Sequence, residues 1–137
     1  MASATTESAA VTAPTREQLL KRGSVAVVAA MVAVAVVRTV AVSLGVPETA
    51  DPMQLDPILT SSVVGAVGAT VVYGVLTRVA SRPNRTFVVI AGLVLLVSLV
   101  PVVTVAPGLP GVTGAVLVTL AAMHLAVAAV SVLILTR

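Results

Sequence analysis

The chain has 137 residues, of which 58% are apolar and only 9% are charged. Globular domains carry roughly 25% charged residues, so the composition excludes a soluble globular domain, and its hydrophobicity excludes a disordered chain. Cysteine is absent and histidine occurs once, which rules out disulfides and cysteine-ligated metals. The composition therefore indicates an integral membrane protein.

The first 14 residues differ from the rest of the chain. They are rich in Ala, Ser and Thr and show no apolar periodicity, so we expect residues 1–14 to form a disordered tail. Thr15 and Gln18 have the spacing of a capping box. The sequence therefore predicts that a helix begins near Arg16.

Residues 15–137 contain four long apolar runs. At a rise of ~1.5 Å per residue, about 20 residues in a helix cross a ~30 Å hydrocarbon core. Asp56 is predicted to cap the second helix, with Pro57 at its first position. A transmembrane barrel is excluded because its strands would be short and would alternate apolar and polar residues. The fold is predicted to be all-α, an antiparallel up-down bundle of four transmembrane helices at about residues 24–44, 58–80, 87–106 and 112–136.

A cleaved signal peptide is the main alternative for the first apolar run. Lys21 and Arg22, the apolar stretch and the sequence Ala41-Val42-Ser43 loosely fit that pattern. However, the basic pair comes only after about 20 residues, and Arg38 would lie just before the cleavage site. We therefore favour an uncleaved first transmembrane helix.

The basic residues are distributed asymmetrically between the two ends of the predicted bundle. The loop between the first two helices contains no Lys or Arg, and the loop between the last two contains no charge. The positive-inside rule therefore predicts a multi-pass cell-membrane protein with both termini in the cytoplasm. Seven of the eight basic residues lie at the cytoplasmic end in this topology: Arg16, Lys21, Arg22, Arg78, Arg82, Arg85 and Arg137.

These basic residues do not indicate a nucleic-acid interface. They lie at helix ends, and aromatic residues for base stacking make up only 1% of the chain. We expect them to meet anionic lipid headgroups instead. The expected partners are the lipid bilayer and either a second copy of the chain or a larger membrane complex.

The second predicted helix carries two adjacent rows of small residues, each at intervals of four. Small residues let helix backbones approach closely in a membrane. We interpret this helix-packing face as an internal contact of the bundle, with a homo-oligomer interface as the alternative. Its central members are Gly65, Ala69, Ala66 and Gly74.

Two ionisable residues within the apolar runs form a candidate intramembrane polar site. Arg38 lies in the first helix and His124 in the middle of the fourth. Pro101 removes the donor for the Val97 carbonyl and should kink the third helix, so this carbonyl is a candidate acceptor for both side chains. Ionisable residues at such depth are often functional.

Structural roles explain both residues better than a functional site at this point. His124 is better explained as a neutral, hydrogen-bonded structural histidine. Arg38 is better explained by an outward-reaching side chain or by pairing with a carboxylate of the first loop, such as Glu48, Asp51 or Asp56.

The residue composition also argues against several classes of function. No carboxylate lies within an apolar run, and one histidine cannot supply two haem ligands. We therefore expect no catalytic residues, metal site or cofactor, and no enzymatic activity. The leading hypothesis is a structural or accessory membrane subunit, and the alternative is a small transporter or channel that uses Arg38 and His124.

Three short motifs complete the sequence analysis. They are Arg82–Phe87 at the start of the third helix, Ser98–Pro101 near its end, and Met123–Leu125 in the fourth. With these motifs the chain resembles the domain of unknown function 6069 family, small prokaryotic membrane proteins, from about Lys21 to Arg137. The resemblance implies four helices and a membrane location, but no activity.

Overall fold

The computed structural model describes residues 12–137, which fold into helices with no strand among them. The predicted tail, residues 1–14, lies almost wholly outside this range. Two 3-10 turns, Asp51–Met53 and Ala106–Gly108, lie in the loops at one end of the bundle. The four long helices are α1 (Arg16–Ser43), α2 (Leu55–Val79), α3 (Pro83–Thr104) and α4 (Gly114–Leu135).

Each long helix is sufficiently long and apolar to cross a membrane, which confirms the predicted four-transmembrane-helix bundle. Consecutive helices are antiparallel neighbours, and α1 closes the bundle against α4. We call the end that contains the α1–α2 and α3–α4 loops (residues 44–54 and 105–113) the loop end. The opposite end, with the start of α1, the α2–α3 turn and the end of α4, is the terminal end.

The helix starts follow local capping chemistry. The Thr15 hydroxyl accepts from the Gln18 backbone N–H at 3.2 Å, and the Gln18 side chain accepts from Thr15 N–H at 3.0 Å, so the capping box is confirmed. The prediction that Asp56 caps α2 is wrong. The 3-10 turn before α2 makes Gln54 the N-cap, and Pro57 lies within the first turn, where no intrahelical donor is required.

Each end of the bundle has its own hydrophobic core. The loop-end core combines one or more residues from every long helix with Ala50 and Met53 of the α1–α2 loop and Ala106 of the α3–α4 loop. Its buried helical residues are Val34, Ile58, Val102, Val116, Leu120 and Met123. The terminal-end core is smaller and consists of Ala26, Tyr73, Phe87 and Leu135.

Helices α1 and α2 pack tightly at two glycines. A Cβ atom on Gly23 would lie 2.5 Å from Cγ2 of Thr70, and one on Gly74 would lie 2.6 Å from Cδ2 of Leu19. No larger residue fits at either position without a shift of its neighbour. Backbone proximity of this kind is how transmembrane helices gain packing energy.

The predicted helix-packing face of α2 is only partly directed inward. Ala66 and Gly74 are buried, Ala69 is half-buried, and Gly65 is exposed. A Cβ atom on Gly65 would make an ordinary contact, 3.5 Å from Cγ1 of Val127 on α4. The row that contains Ala66 and Gly74 therefore packs inside the bundle, whereas Gly65 lies at its edge.

Candidate functional site

Arg38 of α1 binds the α1–α2 loop. Its Nε donates a hydrogen bond to the backbone carbonyl of Met53 at 2.8 Å. A terminal guanidinium nitrogen lies 3.6 Å from Oε2 of Glu48. The Arg38 side chain is 18% exposed and that of Glu48 is 62% exposed, so solvent or headgroups screen the ion pair far more than they screen the hydrogen bond. The main role of Arg38 in this geometry is to hold Met53.

The loop held by Arg38 fills the loop end of the bundle. Ala50 and Met53 are both 0% exposed and belong to the loop-end core. The α3–α4 loop packs on top of this segment at Gly111, which has φ +75°; a Cβ atom there would lie 3.2 Å from Cα of Ala50. The two loops together close this end with apolar side chains.

His124 of α4 is half-buried and bonds its own helix. Its Nδ1 lies 2.7 Å from the carbonyl oxygen of Leu120. A carbonyl only accepts, so Nδ1 carries the proton and donates. Within residues 12–137, no hydrogen bond reaches Nε2, so that nitrogen can still bond an external group.

The structure does not join the candidate polar residues by a hydrogen bond or ion pair within the part of the chain that it describes. Arg38 is engaged by Met53 and Glu48, and His124 by Leu120. Neither side chain donates to the carbonyl of Val97. The α3 helix continues through Pro101 to Thr104.

A polar network at the terminal end was not recognised in the sequence. The hydroxyl of Tyr73 donates to Oδ1 of Asn84 at 2.8 Å, and Nδ2 of Asn84 donates to the carbonyl of Thr136 at 3.1 Å. Arg22 donates to the carbonyl of Leu135 at 3.3 Å. The network therefore links α1 to the end of α4, and α2 to that end through the first turn of α3.

An aromatic contact supports this network. The rings of Tyr73 and Phe87 meet edge to face, with centroids 5.2 Å apart and an interplanar angle of 69°. Asn84 and Phe87 both belong to the Arg82–Phe87 motif, which thus has a structural role in docking α3. The motif could be recognised in the sequence, but its position beside Tyr73 follows only from the antiparallel packing of the helices.

Two apolar grooves lie on the surface of the described part of the chain. One, of about 480 Å³, lies along α1 beside Val28 and Val32. The other, of about 370 Å³, lies between α3 and α4. Arg38 and His124 line neither groove. Among residues 12–137, no group of three or more His, Cys, Asp or Glu side chains is placed to hold a metal ion.

Comparison with known proteins identifies the family. The model of a family of unknown function, DUF6069, matches residues 14–137. No curated protein and no solved structure gives a significant match. The matched region includes all four helices, the Arg38 contact and the three sequence motifs. The chain therefore belongs to the family of unknown function DUF6069.

Proposed function

We propose that this protein is a non-enzymatic structural or accessory subunit of the cell membrane. It acts as a homo-oligomer or within a larger membrane complex, with both termini in the cytoplasm. Four apolar helices and membership of the DUF6069 family support the membrane setting. The accessory role rests on how the polar residues of the bundle are used.

The observation that carries the proposal is the closed loop end. Arg38 donates a hydrogen bond to the Met53 carbonyl, and the loop that it holds contributes Ala50 and Met53 to the core. A conduit would need polar groups that line a path through the bundle. Here the intramembrane cation stabilises the fold, which favours a rigid scaffold over a transport pathway.

The cytoplasmic location of both termini is supported by charge. Seven of the eight Lys and Arg residues lie at the terminal end, whereas the α1–α2 loop carries Glu48 and Asp51. Topology reporters fused after Arg137 and within the α2–α3 turn should report the cytoplasm. A reporter inserted beside Asp51 should report the exterior. An external signal from the reporter after Arg137 would contradict this topology.

Crosslinking within the membrane tests the accessory role. Helix α3 is the least embedded of the four, with only Phe87 and Val102 buried, so it is the surface most available to a partner. The chain contains no cysteine, which makes an introduced cysteine unique. Val97→Cys, on the exposed face of α3, should yield a discrete crosslinked species with a photoactivatable thiol reagent. The buried Val34→Cys is the matched control.

The crosslinked products of Val97→Cys decide whether α3 contacts a partner. A dimer or a defined heterologous product from Val97→Cys, identified by mass spectrometry, supports the proposal. Monomer alone from Val97→Cys and from further cysteines along exposed α3 would contradict it.

One observation favours a small transporter or channel as the second candidate. His124 Nε2 lacks a hydrogen bond in the described region, and the buried hydroxyl of Ser131, seven residues further along α4, has no partner either. Residues seven apart share a helix face. Solute or ion flux in protein-containing vesicles that is lost in His124→Ala would support this candidate over the scaffold.

A further inference from the structure

The groove between α3 and α4 has two apolar walls and is deepened at Gly92. It has a volume of about 370 Å³, and the residues along it are aliphatic or glycine. Gly92 creates part of this depth, because a Cβ atom there would meet nothing within 4 Å. The residues that define its two walls are Val88, Gly92 and Leu95 on α3, and Leu125, Ala129 and Leu133 on α4.

An arginine lies beyond the terminal end of each wall. Arg85 is on α3, three residues before Val88 and seven before Gly92, and residues at these spacings share a helix face. Arg137 lies two residues beyond Leu135, the last residue of α4. Both arginines are exposed, and within the described range neither makes a hydrogen bond or an ion pair.

The two arginines belong to neighbouring segments of the fold. Asn84, which directly precedes Arg85, donates its side-chain amide to the carbonyl of Thr136, which directly precedes Arg137, at 3.1 Å. Two guanidinium groups on adjacent backbones repel each other unless an anion lies between or beside them. Arginine binds phosphate especially well because its planar donors match the phosphate oxygens.

The groove and the arginine beyond its end together match one leaflet of a bilayer in length. Arg85 and Leu95 are separated by ten residues of α3, which corresponds to about 15 Å along the helix axis. This is half of a ~30 Å hydrocarbon core. This length is that of a single acyl chain, which reaches from the headgroups to the bilayer midplane.

We propose that the α3–α4 groove is a binding site for one anionic phospholipid. The lipid phosphate interacts with Arg85 and Arg137, and an acyl chain lies between α3 and α4 over Gly92. The two arginines at the terminal end of the groove select an anionic headgroup by charge complementarity, and the aliphatic walls contact the acyl chain. The site is independent of the accessory role proposed above, because it requires only that the terminal end lie at a membrane surface.

Native mass spectrometry of the full chain in non-ionic detergent tests this site. The delipidated protein is titrated with phosphatidylglycerol and, in parallel, with zwitterionic phosphatidylcholine. One phosphatidylglycerol should bind in clear preference. Because each arginine near a membrane surface contributes about 1 kcal/mol, Arg85→Gln should weaken this binding about fivefold, and Arg85→Gln with Arg137→Gln roughly 25-fold.

Filling the groove provides the second arm of the test. Gly92→Leu should reduce phosphatidylglycerol binding strongly and Gly92→Ala moderately, since the added atoms occupy open space in the groove. Gly68→Leu on α2, where a Cβ atom also meets nothing within 4 Å, is the matched control. Arg16→Gln is the control for charge. Both controls should bind like the wild type.

Three results would overturn the proposal. Equal losses in Arg85→Gln and Arg16→Gln would show diffuse electrostatic attraction instead of a site. Unchanged binding in both Gly92 variants would show that no acyl chain occupies the groove. A wild-type dimer that Gly92→Leu dissociates would show that a second copy of the chain fills it.

Discussion

Replacing Gly23 with alanine should loosen the contact between α1 and α2. The new Cβ atom would lie 2.5 Å from Cγ2 and 3.0 Å from Oγ1 of Thr70. The Thr70 side chain is not free to turn away, because its hydroxyl donates to the Ala66 carbonyl at 2.8 Å. The neighbouring helix must therefore move, or Thr70 must give up its hydrogen bond.

The magnitude follows from two opposing effects. Overpacking of a tight contact costs about 1–3 kcal/mol, whereas replacing glycine by alanine within a helix contributes up to about 1 kcal/mol of stability. Gly23→Ala should therefore lose about 1 kcal/mol, the centre of a net range of about 0–2 kcal/mol, equivalent to a fall of roughly 5 °C in the unfolding midpoint. Thermal unfolding in detergent, followed by far-UV circular dichroism, measures this shift.

Two further variants make the test specific. Gly68→Ala on α2 adds the same methyl group where nothing lies within 4 Å, so its unfolding midpoint should stay level or rise. Adding Thr70→Ala to Gly23→Ala removes the clashing atoms and should recover most of the loss. A Gly23→Ala protein as stable as the Gly68→Ala protein, or a double variant without recovery, would refute the close α1–α2 approach.

The other stability predictions use the same unfolding assay. Arg38→Leu should lose about 1.5–3 kcal/mol, the usual value for a hydrogen bond from a charged group, whereas Glu48→Gln should lose less than about 1 kcal/mol because Glu48 is 62% exposed; equal losses would contradict the carbonyl contact as the dominant one. Tyr73→Phe should lose about 1 kcal/mol with its hydrogen bond to the α3 start, and no change would mean that this bond is dispensable. Gly74→Leu should reduce folded yield far more than Gly65→Leu, since only the former enters space already occupied; the reverse order would place the buried face of α2 incorrectly.

The number and type of the helices could be predicted because length and hydropathy are sufficient for a membrane-spanning segment. The α1 start was also predictable, since the Thr15 and Gln18 capping box is a local signal. The α2 start was not, because a 3-10 turn formed by Asp51–Met53 displaced the cap to Gln54. Local capping signals therefore predicted the start of a helix correctly where no preceding turn displaced the N-cap.

The orientation of each helix was harder to predict. In water, the contrast between polar and apolar faces shows which side is buried, but these helices are apolar on all sides. The spacing of small residues on α2 indicated two adjacent rows, and only packing against α1 shows that Gly74 is buried while Gly65 is exposed.

The role of Arg38 could not be predicted, because it depends on the conformation of the α1–α2 loop, which no sequence pattern indicates. Its partner, Met53, is separated from it by 15 positions, and only the folded α1–α2 loop brings the Met53 carbonyl within 2.8 Å. Sequence reasoning could place Arg38 within an apolar run and offer loop carboxylates as partners, of which Glu48 is the one at ion-pair distance. It could not anticipate a backbone acceptor or the burial of Met53.

Thiol labelling of Met53→Cys tests most directly the central claim that the Arg38-held loop closes the bundle. The chain has no other cysteine, and the substitution preserves the backbone carbonyl to which Arg38 donates. In intact cells, a membrane-impermeant maleimide should leave Met53→Cys unmodified while labelling Thr49→Cys, an exposed position in the same loop. Adding Arg38→Leu should make Met53→Cys reactive. Rapid labelling of Met53→Cys with Arg38 intact would contradict a closed loop end and favour an open polar pathway.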